Sequence, residues 1–297
     1  MELVICGFEI FQDNRWFDDL SMCEEMDEKE FIIKRGLYFS KYAEIYVATE
    51  IATRRTVVLK DLFYISDGKV DEKMLVLVKR EINIHSALSH PNIVHFYGMI
   101  HEDDRYTLVL EYCKHGDLGH KYNRDGLLST ELIKEVVKGI GRALEYCHKK
   151  GIIHGDIKPE NIFLDSENCV KLGDFGGAVL LSSKEQKKDI YAHGTAEFLP
   201  PEVLVVEKKF ELTEKADIWS FGVTLIEIMS GENPFSSDEG KDEIYRKIVE
   251  DDIIFEDFDC IDELGMDLIE KMLEKDPQQR IGLSEILTHP FLLHSEK

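Results

Sequence analysis

From His154 to Asn161 the chain reads His-Gly-Asp-Ile-Lys-Pro-Glu-Asn, and Asp174-Phe175-Gly176 follows downstream. Asp156 can orient a hydroxyl, Lys158 can offset phosphate charge, and Asn161 and Asp174 supply oxygens of the kind Mg²⁺ prefers. Phosphoryl transfer needs positioning and charge neutralisation above all, and these groups provide both. Any one Asp or Asn here would read as a turn or helix-cap residue. The full set in this order and spacing points to chemistry.

Elements must hold these groups in place. Ile162-Phe163-Leu164 and Val170-Lys171-Leu172 read as short strands that present the two motifs at their ends. Upstream, Thr130 to Lys149 carries Leu132, Val136, Val137, Ile140, Leu144 and Cys147 on one helical face. Ala216–Met229 reads as a long apolar helix, and Leu264–Leu273 and Leu283–Leu287 as amphipathic ones. Residues 31–110 read as strands around one helix. Phe31–Ile33, Ala43–Ala48, Thr56–Lys60 and Thr107–Glu111 are β-branched or aromatic, whereas Lys73–Ala87 has Met74, Leu75, Val78 and Ile82 at helical spacing. A strand-rich first part and a helical second part predict an α+β pair of lobes.

The chain has 297 residues, 43% of them hydrophobic, enough for a large core or two lobes. Its net charge of −23 argues against nucleic acid or anionic lipid as a main partner. Two readings of the acidity stay open: it aids solubility, or it favours basic partners. Cys6, Cys23, Cys113, Cys147, Cys169 and Cys260 are scattered without a C-x-x-C pair, which predicts reduced, intracellular usage. No apolar run approaches a membrane span, and the first residues lack the basic and apolar regions of a secretory signal, so we expect a cytoplasmic or nuclear protein and no membrane partner. Residues 1–30 are an acidic lead-in with Glu24, Glu25, Asp27, Glu28 and Glu30. It either docks through Phe8, Ile10, Trp16 and Phe17 or is a solvated terminus.

Together these motifs resemble a eukaryotic-type Ser/Thr protein kinase domain over residues 31–295. The resemblance implies a bilobal fold: a small strand-rich N-lobe (31–110), then a hinge and large helical C-lobe (111–297) with an activation segment at 174–202, and an ATP cleft between the lobes. It implies ATP and Mg²⁺, with Asp156 as base, Lys158 at the transferring phosphoryl group, and Asn161 and Asp174 as metal ligands. Lys60 resembles the lysine of the α- and β-phosphates and Glu81 its helix partner, with His90-Pro91-Asn92-Ile93-Val94 following as expected. Leu110 takes the gatekeeper position, and Glu111 to Cys113 the hinge, where Cys113 reads as an unreactive filler. Tyr38, Ser40, Ala43 and Ile45 fall where nucleotide is covered. Asp117, Glu160 and Glu227 match acidic positions that contact basic residues before the target Ser/Thr, although Asp117 also suits a ribose contact. The implied partner is a protein substrate, with basic residues before its target. Glu202 is expected to pair with Arg280, and Asp217 to anchor the catalytic loop from below.

The chain departs from the family in three places. Tyr38, Ser40 and Ala43 occupy the three glycine positions of the phosphate-covering loop, while Gly36 comes too early. Gly155 replaces the Arg that grips a phosphorylated activation segment, so activity is expected not to require phosphate on Ser182, Ser183 or Tyr191. His85 stands where the family packs an aliphatic residue. It is either a satisfied polar filler or a weakened link between helix and metal motif. Two other functions compete. The degraded loop and His85 also suit a non-catalytic kinase-like scaffold. His154-Gly155-Asp156 with Asn161 also resembles aminoglycoside- and choline-type phosphotransferases, to which Lys158, the Gly194–Glu202 segment and a Glu202/Arg280 pair are foreign.

Overall fold

The computed structural model describes residues 20–21, 23–66, 68–166, 169–181, 194–205, 212–254, 258 and 261–293. Phe8, Ile10, Trp16, Phe17, Ser182, Ser183 and Tyr191, with Cys6 and Cys260, lie outside the described residues. The chain divides into two compact units, Met1–Cys113 and Lys114–Lys297.

The first unit is built on β1 (Phe31–Phe39), β2 (Ala43–Glu50), β3 (Thr56–Phe63), the short β4 (Ile65–Ser66) and β5 (Lys69–Val70), α1 (Glu72–Ser86), β6 (Phe96–His101) and β7 (Arg105–Glu111). Five of the strands form an antiparallel sheet in the order β1-β2-β3-β7-β6. Phe31, Ala48, Val57, Leu59, Ile100 and Val109 make a core cluster on it, joined by Met26, Tyr46 and Tyr97. Helix α1 starts where Asp71 accepts hydrogen bonds from the Lys73 and Met74 N–H groups, satisfying donors that a helix start leaves bare.

Strand β6 carries a central glycine, Gly98, and glycine ordinarily weakens a strand reading. A Cβ at Gly98 would sit 2.7 Å from the Glu24 carbonyl and 2.9 Å from Met26 Sδ. The glycine is therefore required by residues 24–26, which pair with the sheet edge at Met99. Met26 N–H donates to the Met99 carbonyl and Met99 N–H to the Glu24 carbonyl, both at 2.8 Å. Further contacts are the Met26 side chain, the Ile51 N–H donated to the Glu30 carbonyl at 2.8 Å, and a Glu28–Arg105 ion pair at 3.5 Å.

The second unit contains α2 (Leu118–Asp125), α3 (Thr130–Lys149), β8 (Ile152–Ile153), β9 (Ile162–Ser166), β10 (Cys169–Leu172), β11 (Val179–Leu180), α4 (Pro201–Leu204), α5 (Lys215–Ser230), α6 (Lys241–Glu250), α7 (Glu263–Met272), α8 (Leu283–Ile286) and α9 (Pro290–Leu293). Apart from Lys215, Glu227, Met229 and Ser230, α5 is buried along its length, as its near-continuous apolar sequence predicts. The expected Glu202–Arg280 pair is present and bidentate, at 2.8 and 2.9 Å, with both side chains buried. Arg280 also donates to the Lys215 carbonyl at 2.7 Å and lies over the Trp219 ring. Among the described residues no helix is long and apolar enough to cross a membrane. Among the described residues Cys23, Cys113, Cys147 and Cys169 form no disulfide, and burial pushes the Cys147 thiol far up, which makes it inert.

Candidate active site

In the second unit the motif His154–Asn161 spans the connection from β8 to β9. Strand β8 pairs antiparallel with β11, and β9 with β10, so the strands carry the loop and the Asp174 motif between fixed ends. From beneath, the buried Asp217 carboxylate on α5 accepts the His154 and Gly155 N–H groups, each at 2.9 Å, and bonds His148 Nε2 at 2.8 Å. Burial alone would raise the Asp217 carboxyl. The His148 hydrogen bond and charge, with His154 and the Gly155 N–H, outweigh that and hold it below the ordinary carboxylate value of 3.8.

Gly155 has φ +76°, in the left-handed region that glycine adopts freely. His154 Nε2 meets the Gly173 carbonyl at 3.0 Å, and Asp156 N–H donates to His154 Nδ1 at 3.3 Å. That pattern assigns the proton to Nε2. The His154 ring stands edge-on to Phe175, centroids 4.9 Å apart.

Asp156 is surrounded by donors. Its Oδ1 accepts the Thr195 N–H at 2.9 Å and the Thr195 hydroxyl at 2.8 Å. Its Oδ2 accepts Asn161 Nδ2 at 2.9 Å and pairs with Lys158 Nζ at 2.8 Å. Lys158 also donates to Thr195 Oγ1 at 2.8 Å. The arrangement is a carboxylate, an ammonium and a hydroxyl in mutual contact, the groups needed to orient an attacking hydroxyl and neutralise a phosphoryl oxygen. Because Asn161 Nδ2 donates to both the Asp156 carbonyl and its carboxylate, the amide oxygen points the other way. An amide oxygen there and the exposed Asp174 carboxylate form a hard-oxygen donor set that fits Mg²⁺. Asp174 is one of two described non-glycine residues with positive φ, at +56°, a conformation that costs about 1–2 kcal/mol.

In the first unit Lys60 and Glu81 form a largely buried ion pair at 2.7 Å, linking β3 to α1. Tyr38 pairs with Ile45, and Ile45 in turn with Lys60, across three neighbouring strands. Ser40 and Ala43 bracket the β1–β2 turn. Leu110 and Cys113 are buried; Glu111 N–H donates to the His95 carbonyl at 2.9 Å, and its carboxylate accepts the His95 N–H at 3.0 Å. His85 is buried, with Nε2 2.7 Å from the Val94 carbonyl and its ring against Phe96.

Asp117, at the start of the second unit, caps α2, accepting the His120 N–H at 2.8 Å and bonding His120 Nδ1 at 2.7 Å. Gly119 brings it beside Glu160: a Cβ there would lie 3.3 Å from Asp117 Oδ1 and 3.3 Å from Glu160 Oε1. Burial raises the Glu227 carboxyl above its ordinary 4.5, with the charges of Glu160 and Glu197 adding to the rise against a bond from Asn233. The acidic positions therefore share one electrostatic neighbourhood.

Sequence reasoning missed two features. His148 follows the apolar face of α3 directly, and a histidine ending such a face was the available signal. The closure of Asp156 by Thr195 joins positions 39 residues apart, a contact that motif spacing does not give.

A family model described as "Protein kinase domain" matches residues 37–292. The chain is 36% identical over 263 residues to an Aurora kinase of Schizosaccharomyces pombe, covering 89% of this chain and 71% of that one. It is 34% identical over 265 residues to an Aurora kinase of Dictyostelium discoideum, covering 89% of this chain and 66% of the relative, just under two thirds of its length. The serine/threonine-protein kinase Aurora-1 of Arabidopsis thaliana is 34% identical over 268 residues, covering 90% and 87%. Sequence, sheet-and-helix units and the Asp156 cluster agree: the chain belongs to the family of eukaryotic-type serine/threonine protein kinase domains.

Proposed function

We propose that this domain transfers the γ-phosphate of ATP to Ser or Thr hydroxyls on basic segments of protein substrates. The observation that carries the reading is the Asp156 carboxylate held between Lys158, Asn161 and a hydroxyl. In this reading Asp156 orients the acceptor hydroxyl and takes its proton, and Lys158 faces the phosphoryl oxygens. Asn161 and Asp174 hold Mg²⁺, whose chemistry is to neutralise the phosphate charges. Lys60, kept in place by Glu81, binds the α- and β-phosphates. The backbone of Glu111 to Cys113 takes the adenine, and Tyr38, Ser40, Ala43 and Ile45 cover the nucleotide. Asp117, Glu160 and Glu227 receive basic residues before the target, consistent with the net charge of −23. Four free cysteines fit a reducing compartment, cytoplasm or nucleus.

The test is transfer of labelled phosphate from Mg·ATP to a basic protein, compared with Asp174→Asn. Transfer by wild type and its loss in the variant is the expected result; equal signals from both would overturn the reading. A non-catalytic scaffold is the second reading, drawn from the turn at Ser40. It requires that wild type transfer no phosphate; an unfolding midpoint that Mg·ATP leaves unchanged would favour it further, since a bound nucleotide raises the midpoint by mass action.

A further inference from the structure

The turn between β1 and β2 closes on itself through one side chain. Ser40 N–H donates to the Ala43 carbonyl at 2.8 Å. The Tyr42 and Ala43 N–H groups both donate to Ser40 Oγ, at 3.3 and 3.0 Å, and the Ser40 hydroxyl donates back to the Ala43 carbonyl at 3.1 Å. A hydroxyl offers one donor and two acceptor positions, so Ser40 is saturated within its own turn. Two successive N–H groups converging on one oxygen make a concavity suited to an anionic oxygen. Here the chain's own hydroxyl oxygen fills it.

Strain is not the reason this turn differs from a glycine-rich one. Among the described non-glycine residues only Arg54 and Asp174 have positive φ, so Tyr38, Ser40 and Ala43 all sit in ordinary backbone conformations. The flanking register is also pinned. Phe39 pairs with Glu44 across the hairpin, and its ring packs edge-on to Tyr46 with centroids 5.5 Å apart. That ring occupies the space over Gly36, where a Cβ would come within 2.2 Å of it. What the substitution of glycine changes at this turn is the occupancy of its donors.

We propose that Ser40 is a built-in competitor for nucleotide phosphate: its hydroxyl holds the Tyr42 and Ala43 N–H groups and lowers affinity for the phosphate part of ATP, leaving the nucleoside part untouched. The proposal rests on the kinase reading of the site. Hydrogen bonds to an ionised acceptor are about twice as strong as those to a neutral one, so phosphate oxygen displaces the hydroxyl, but against a bond already made. Freeing both donors is expected to tighten Mg·ATP binding about tenfold.

Calorimetric titration of the full chain with Mg·ATP and, separately, with adenosine tests this on wild type, Ser40→Ala and Ser40→Gly. Both variants should bind Mg·ATP about tenfold more tightly, with adenosine unchanged. Amide hydrogen exchange at Tyr42 and Ala43 should speed up in Ser40→Ala and slow again when Mg·ATP is added. Unchanged ATP affinity in both variants overturns the proposal, as does tightening in the glycine variant alone, which would assign the effect to backbone freedom. Weaker binding in Ser40→Ala overturns it too, because the hydroxyl would then be a nucleotide ligand. If wild type and both variants take up neither ATP nor adenosine, the kinase reading fails and the competition falls with it.

Discussion

The loop around Asp156 and the turn around Ser40 each gather donors onto an oxygen, but they draw them from different distances. Asp156 receives its donors from Lys158, Asn161 and Thr195, and the loop beneath it is tied to Asp217 and through it to His148. Ser40 receives its donors from Tyr42 and Ala43, its own neighbours. The first arrangement is over-determined by tertiary structure, so several groups must fail before the geometry changes. The second depends on one hydroxyl, so a single substitution can reset it. In the proposed reading, the loop that carries the chemistry is fixed by distant neighbours, whereas the turn assigned to the nucleotide can change with one residue.

The largest effect should come from removing the deep anchor. Asp217→Ala leaves His148 and two N–H groups without their buried acceptor and is expected to destabilise the fold by about 3–5 kcal/mol, measured by urea unfolding. Asp217 is held below its ordinary value of 3.8, so it contributes stability above that value and loses it as pH falls through the folded one. Acid should therefore erode wild-type stability more steeply than that of Asp217→Asn; parallel curves would contradict this account.

Next is Thr195→Ala, which deletes the hydroxyl between Asp156 and Lys158 but keeps the backbone bond. Turnover should fall about tenfold to a hundredfold, while Thr195→Ser retains most of it. A serine variant as impaired as the alanine one would mean the threonine methyl matters instead.

A smaller effect separates the two regions by backbone. Gly155→Ala forces a side chain into the left-handed region and should cost about 1–2 kcal/mol in unfolding free energy. Ser40→Ala removes only local turn bonds and should cost about 0.5–1 kcal/mol. Equal costs would remove the distinction drawn above.

The proposed substrate contact should show in pH. With its carboxyl raised, Glu227 takes up a proton at a pH above the ordinary glutamate value of 4.5 and loses its attraction for a cation. The KM for an arginine-containing peptide should rise as pH drops toward that range, and Glu227→Gln should flatten the profile. The smallest effect is expected from replacing Ser182 and Ser183 with Ala and Tyr191 with Phe together, because Gly155 has no side chain to grip a phosphate. Activity should stay within about twofold of wild type, and its loss would reinstate phosphorylation control.

The groups proposed for catalysis were legible because they lie close together along the chain. Asp156, Lys158 and Asn161 sit on one short loop, and their identity and spacing carry the chemistry before any folding is considered. The alternation of β2 and β3 and the apolar faces of α3 and α5 were legible for the same local reason. Strand β6 was not, because Gly98 reads as a breaker until the backbone of Glu24 is seen pressed against it.

By itself the sequence determined the reaction type and the pairing of Lys60 with Glu81 and of Glu202 with Arg280. Tertiary structure alone decided that Thr195 closes over Asp156, that His148 shares Asp217, that His85 Nε2 meets the Val94 carbonyl, and that Ser40 has filled its own turn. The physical reason is that residue type sets what a group can do. Whether its donors and acceptors are already engaged depends on neighbours brought in by the fold and on the turn geometry the backbone adopts.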